Sequence, residues 1–153
     1  MEPITTRDMV SQISAATGIP ATTSTLAYLD AFKAFGISRV GLVSPYTQDV
    51  NDAIIRGYRT EGMTITGERH LGLSINEYFA RVEPSELLAP SAELADGSGN
   101  SWPQALIYLC TNLYGAPVVQ QVEQQSDAAV LDSVAVTLWQ CLAMTGAAGL
   151  DPR

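Results

Sequence analysis

Ala105-Leu-Ile-Tyr-Leu-Cys-Thr-Asn-Leu-Tyr-Gly115 is the stretch on which the fold turns. Its apolar run, Ala105 to Leu109, stops at Cys110 and two small polar residues. A short apolar run ending at a polar edge is the pattern of a buried parallel strand, here over Leu106–Leu109. Pro117 suits the first position of a helix, and Val118 to Gln125 has helical character, so a helix follows the strand. Ligands of open α/β sheets sit outside the carboxyl ends of the strands. Cys110 stands at such an end.

Outward from this stretch the chain alternates strand and helix. Arg39 to Ser44 (RVGLVS) is the clearest strand, rich in β-branched residues and bounded by turn signals. A helix over about 47–61 follows, with Val50, Ile54, Ile55 and Tyr58 as its core face. Met63 to Leu71 contains a strand, and Gly72–Asn76 is the loop after it. A short helix is expected over 77–82 and another from Pro84, before an irregular connector runs to Pro103. Ala128 to Leu131 reads as a last strand. Before the first strand, Thr5–Thr17 reads as a helix capped by Thr6 or Asp8, with Met9, Val10, Ile13 and Ala16 on one face. A second helix, Leu26–Phe35, is capped by Ser24 or Thr25. The spacing predicts a closing helix over 134–145. This order argues for a single α/β domain over 1–153, a parallel sheet flanked by helices, with 1–17 as leading helix and 134–146 as the closing segment.

The chain has 153 residues, 46% of them hydrophobic and 16% charged, which suits a packed domain. A net charge of -8 argues against nucleic acid and anionic membranes as partners. It leaves small anions open, because local amides can bind them against the global charge. Two cysteines without a Cys-x-x-Cys pair, and one histidine, argue against a zinc site. The opening MEPITTRDMVSQIS has no signal-peptide pattern, and no run is long enough to span a bilayer, so the cytoplasm with free thiols is the expected setting.

Three pieces, taken together, carry a resemblance. They are Ala16-Thr-Gly-Ile-Pro-Ala-Thr-Thr23, then Gly36–Tyr46 running into Asp49-Val-Asn51, then Leu109-Cys-Thr-Asn-Leu113 followed by Thr137-Leu-Trp-Gln140. In this order the chain resembles the aspartate/glutamate racemase superfamily, most of all its maleate cis-trans isomerases and arylmalonate decarboxylases. The resemblance runs from about Arg7 to Gly146. It implies two pseudo-symmetric α/β halves with an active site between them, and cysteine chemistry without a cofactor or metal. It also implies that this chain corresponds to the C-terminal half, lacking the half that brings a first catalytic cysteine. The expected cause is a truncated sequence, a mis-set start or a divergent remnant; a homo-oligomer would offer a way to rebuild a cleft.

The resemblance makes Cys110 the second catalytic cysteine. A thiolate can take a proton next to a carboxylate or attack a polarised alkene, and a thiol can protonate a carbanion. The alternative for a lone cysteine is burial in the core. Tyr46 matches a tyrosine that hydrogen-bonds a substrate carboxylate or enediolate; the alternative is packing over the sheet edge. The amides of Thr111 and Asn112 would form an anion nest, against an ordinary strand-to-helix loop. Asn76 resembles an asparagine that maleate isomerases place near substrate, or else caps the following helix. The implied activity is isomerisation of a small carboxylate such as maleate or an amino dicarboxylate. Decarboxylation of malonate-type acids with one cysteine as proton donor is the second reading, although Thr111–Asn112 stands where arylmalonate decarboxylases carry Gly-Gly. A non-catalytic fragment is the third. Thr22, Thr23 and Ser24 are explained by capping, Cys141 by the core and His70 by surface packing. Glu61, Glu68, Glu77 and Glu83 are expected in solvent.

Overall fold

Val40 to Val43 and Ala105 to Tyr108 are almost completely shielded from solvent, and they form the two central strands of a parallel sheet. A computed structural model describes residues 5–96 and 102–147; the connector expected around Gly97–Asn100 lies outside them. One compact unit runs from Ile37 to Ser133, and a second combines the segments before and after it.

In the first unit the strands are β1 (Arg39–Ser44), β2 (Thr64–His70), β3 (Ala105–Tyr108) and β4 (Ala129–Asp132). All pair in parallel, in the order β2-β1-β3-β4. The chain therefore moves from β1 to one neighbour, then crosses back to the other side. The gap between the carboxyl ends of β1 and β3 is the topological switch point, where open α/β sheets take their ligands.

Side chains alternate across the sheet. Val43, Leu106, Tyr108 and Val130 lie in one core cluster with Leu87, Leu94, Val118 and Val122. These last come from a 3-10 turn (Pro84–Leu87), from α5 (Leu88–Ala95), from the 3-10 turn Ala116–Val118 and from α6 (Val119–Gln125). Glycine suits position 41 in β1, because a Cβ there would lie 2.7 Å from a Leu106 methyl carbon and the buried leucine would have to shift. Gly115 is tighter still, with Tyr108 Cδ2 at 2.4 Å from its would-be Cβ.

The opposite face receives α3 (Gln48–Thr60), which packs on β2. Its buried residues are Asn51, Ile55 and Tyr58. Val50, expected in the core, is 40% exposed, and the helix turns Asn51 inward instead. Asn51 tolerates burial because both ends of its amide find partners: Oδ1 accepts from Ser44 Oγ (2.8 Å) and Nδ2 donates to Glu68 Oε2 (2.6 Å). Glu68 is accordingly half-buried, not solvated as expected, and His70 Nδ1 meets the same oxygen at 3.0 Å. The expected solvation of Glu68 overlooks that residues two apart share a strand face. Between β2 and α5 stands the one-turn α4 (Asn76–Phe79).

In the second unit, α1 (Thr6–Thr17) is capped by Thr5 in a reciprocal box with Asp8, in place of the expected Thr6 or Asp8 cap. Helix α2 (Ser24–Phe35) is capped by Thr23 and closed by Gly36 in the left-handed conformation. It buries Ala27, Tyr28, Ala31 and Phe32. No residue of α1 is buried, so its apolar face of Met9 and Ile13 is left in solvent. Phe35 stacks at 5.9 Å on Trp139 of α7 (Ser133–Met144). Cys141 is exposed, which corrects the expectation of a core residue: it lies off the face that carries Trp139.

Candidate active site

Two strand ends build the site. At the first, β1 ends on Ser44 and the chain turns through Pro45 and Tyr46 into α3. Three backbone bonds stitch this turn to the segment after β2: Leu71 N–H to Ser44 O (3.0 Å), Leu73 N–H to Pro45 O (2.8 Å) and Gly72 N–H to Tyr46 O (3.0 Å). Phe79 of α4 meets the Tyr46 ring edge-on at 5.5 Å. The tyrosine is thus held by backbone and ring, with its hydroxyl toward Cys110.

At the second end, Leu109 N–H makes one more ladder bond to Val43 O (2.9 Å), after which the chain leaves the sheet. Cys110 has φ 154°, the one positive value on a non-glycine among the described residues. Side chains other than glycine's rarely occupy this region, and such strain concentrates at functional positions. The Cys110 N–H donates to Ser133 Oγ at 3.0 Å, and Ser133 Oγ donates to Tyr108 O at 2.9 Å.

The sulfur of Cys110 is half-buried against the core cluster. It accepts a hydrogen bond from the Asn112 N–H at 3.3 Å. The Tyr46 hydroxyl faces it, near enough for the charge at Cys110 to act on the phenol. Burial holds the Tyr46 phenol above its ordinary value of 10.0, and the hydrogen bond and charge at Cys110 raise it further. Tyr46 therefore keeps its proton across the neutral range and remains a donor. The Asn112 N–H on the sulfur, with the Tyr46 hydroxyl facing it, is an arrangement that favours negative charge there whenever it forms.

The structure brings four of the five expected site residues together. Cys110 bonds Asn112 and faces Tyr46, and Asn112 Nδ2 donates to the Asn76 carbonyl at 2.8 Å. Asn76 contributes its backbone here. It is the first residue of α4, the N-cap is Ile75, and no side chain caps the helix, so the capping alternative does not apply. Thr111 is exposed beside Cys110, and the Asn112 amide faces the thiol. Ser133, Phe79 and the Ser44–Asn51–Glu68–His70 chain were not anticipated in the sequence. Ser133 carried a usable signal, since it follows β4 directly and begins a helix. Among the described residues no group of three His, Cys, Asp or Glu side chains is arranged to hold a metal ion, and no helix is long and apolar enough to cross a membrane.

The chain is 28% identical over 131 residues to the arylmalonate decarboxylase of Bordetella bronchiseptica, covering 86% of this chain and 54% of that protein. It is 23% identical over 128 residues to the maleate isomerase of Alcaligenes faecalis, covering 84% and 49%. The chain spans about half the length of these curated relatives. Its fold superposes on a crystal structure of arylmalonate decarboxylase with a TM-score of 0.82 at 25% identity, covering 94% of this chain and 62% of that one. That coverage agrees with a racemase-like α/β fold of which this sheet forms one part. Residues 4–153 match the model of the Amdase family, described as arylmalonate decarboxylase, and the chain belongs to that family.

Proposed function

We propose that this chain carries the reacting thiol of a cofactor-independent enzyme for small carboxylates, with Cys110 as that thiol. The observation that carries the reading is the meeting of Tyr46 and Cys110 at the switch point of the sheet. Tyr46 would hydrogen-bond a substrate carboxylate oxygen, and the exposed Thr111 amide would add a second donor. On maleate, the Cys110 thiolate adds to one alkene carbon, and the electron pair moves into the neighbouring carboxylate as an enediolate. The bond between the two central carbons is then single and rotates. Collapse of the enediolate expels the thiolate and leaves the trans alkene. The Asn112 bond to the Asn76 backbone leaves the Asn76 side chain available to a substrate, as the isomerase reading requires.

Decarboxylation is the second reading, favoured by the family and by the higher identity to the Bordetella enzyme. There a malonate-type acid loses carbon dioxide, the electron pair forms an enediolate, and the Cys110 thiol delivers its proton to carbon. Incubation with maleate and with an arylmalonate, followed by product analysis, separates the two. In either case Cys110→Ala removes turnover by a factor of about 10³ or more, while Cys141→Ala leaves it unchanged. Equal loss in both variants overturns the assignment of Cys110. Absence of turnover, with a Cys110 thiol no more reactive toward iodoacetamide than a free cysteine, establishes a non-catalytic chain.

A further inference from the structure

We propose that Ser133 is a positioning residue for Cys110, an inference that rests on the reading of Cys110 as the reacting thiol. Tyr108 pairs with Asp132, so Ser133 is the first residue past β4, alongside the point where β3 leaves the sheet. In a strand, successive N–H groups point to opposite neighbours. Leu109 donates toward β1, to Val43 O. Cys110 is the next donor and points toward β4, where the ladder has already ended. The Ser133 hydroxyl takes that donor at 3.0 Å and passes its own proton to Tyr108 O at 2.9 Å. One buried hydroxyl, 1% exposed, thus ties together both ends of the Tyr108–Leu109–Cys110 segment.

The tie matters because of the backbone it holds. At φ 154° Cys110 sits where an L-residue does not rest by preference, and surrounding contacts must keep it there. That conformation lays the sulfur on the Asn112 N–H, facing the Tyr46 hydroxyl. Without the Ser133 hydroxyl, Cys110 N–H loses its acceptor. The peptide is then free to relax toward an ordinary strand conformation, which turns the sulfur away from both donors. Ser133 acts through the backbone of Cys110 and is not assigned any contact with substrate.

The test compares the native chain with Ser133→Ala and Ser133→Thr. Iodoacetamide alkylation of Cys110 is followed by peptide mass spectrometry across neutral and alkaline pH, with the exposed Cys141 as internal reference. In Ser133→Ala, Cys110 alkylation at neutral pH is expected to slow about 3-fold or more relative to Cys141, because the thiolate loses its donors. Ser133→Thr keeps the hydroxyl and restores the native ratio. Where maleate or an arylmalonate is turned over, kcat falls about 10-fold in Ser133→Ala with KM little changed. A folded Ser133→Ala chain with the native alkylation ratio overturns the inference, as does a folded Ser133→Thr chain that behaves like Ser133→Ala. If the native chain turns over neither acid, the substrate reading falls and the alkylation arm still decides on Ser133. If Ser133→Ala does not fold, hydrogen exchange of the Cys110 amide in the native chain decides. Protection comparable with Leu109 supports the tie, and exchange at the rate of an open loop amide overturns it.

Discussion

The two strand ends that meet at the site are held in opposite ways. The end of β1 is fixed many times over. Ser44 is clamped from its side chain by Asn51, and the following turn accepts three backbone hydrogen bonds from Leu71, Gly72 and Leu73. The end of β3 departs from the sheet at a strained residue, and one hydroxyl, that of Ser133, spans the departure. The over-determined end carries Tyr46, whose proposed role needs only a fixed donor. The strained end carries Cys110, whose proposed role needs an aimed sulfur. Rigidity on one side and stored strain on the other is the division expected when a scaffold presents a reactive group.

The largest effect on stability is expected where the β1 end is tied to its neighbours. Asn51 is wholly buried and satisfies both Ser44 and Glu68. Asn51→Leu keeps the volume but strips a hydroxyl and a carboxylate of a shared partner. A loss of about 3 kcal/mol is expected in urea denaturation, since buried groups left unsatisfied carry their full desolvation penalty. Because the three backbone bonds remain, Cys110 alkylation relative to Cys141 should change little in the folded fraction. A large change in that ratio would break the contrast between the two ends.

A middle-sized effect comes from pH, at the point where the ends touch. The Tyr46 phenol is raised by burial first and by Cys110 second; the Tyr58 phenol is raised by burial first and by the charge of Tyr46 second. Burial raises Tyr108 as well. A phenol raised in the folded state adds stability that is complete below the unfolded value of about 10 and is lost as pH rises through the folded one. The urea midpoint should therefore be flat through neutral pH and fall above about pH 10. Tyr58→Phe should make that alkaline fall shallower. An unchanged slope would show that the phenols are not held protonated in the way the packing implies.

Much of this was legible in the sequence, and the exceptions share a cause. Periodicity locates all four strands, and the strand-end reading puts Tyr46 and Cys110 just past the ends of β1 and β3, where they stand. What sequence reading lost was polar burial. Val50 was expected inside and Asn51 was not considered, because an apolar count cannot anticipate an amide with two partners waiting on β1 and β2. Glu68 and His70 were read singly although they share a strand face. Ser133 falls between the expected last strand and closing helix and draws no reading, since Tyr108 and Cys110 come near it only through the sheet order. Cys141 went the other way: its apolar neighbours suggested burial, but the helix turns it outward.

The smallest effect belongs one residue away from the buried chain. Arg69 lies between Glu68 and His70 on β2, and alternation turns it to the other side, where it pairs with Glu93 at 2.6 Å. The pair is short and well formed, yet both side chains are about half exposed or more, at 46% and 60%. Water screens such charges, and holding two long side chains together offsets most of the attraction. Arg69→Ala is accordingly expected to lower stability by no more than about 0.5 kcal/mol. Set against Asn51→Leu, which disturbs the carboxylate of the adjacent residue, the difference should be several-fold. A loss at Arg69 as large as that at Asn51 would mean that proximity to the strand, and not burial of the polar group, sets the energy.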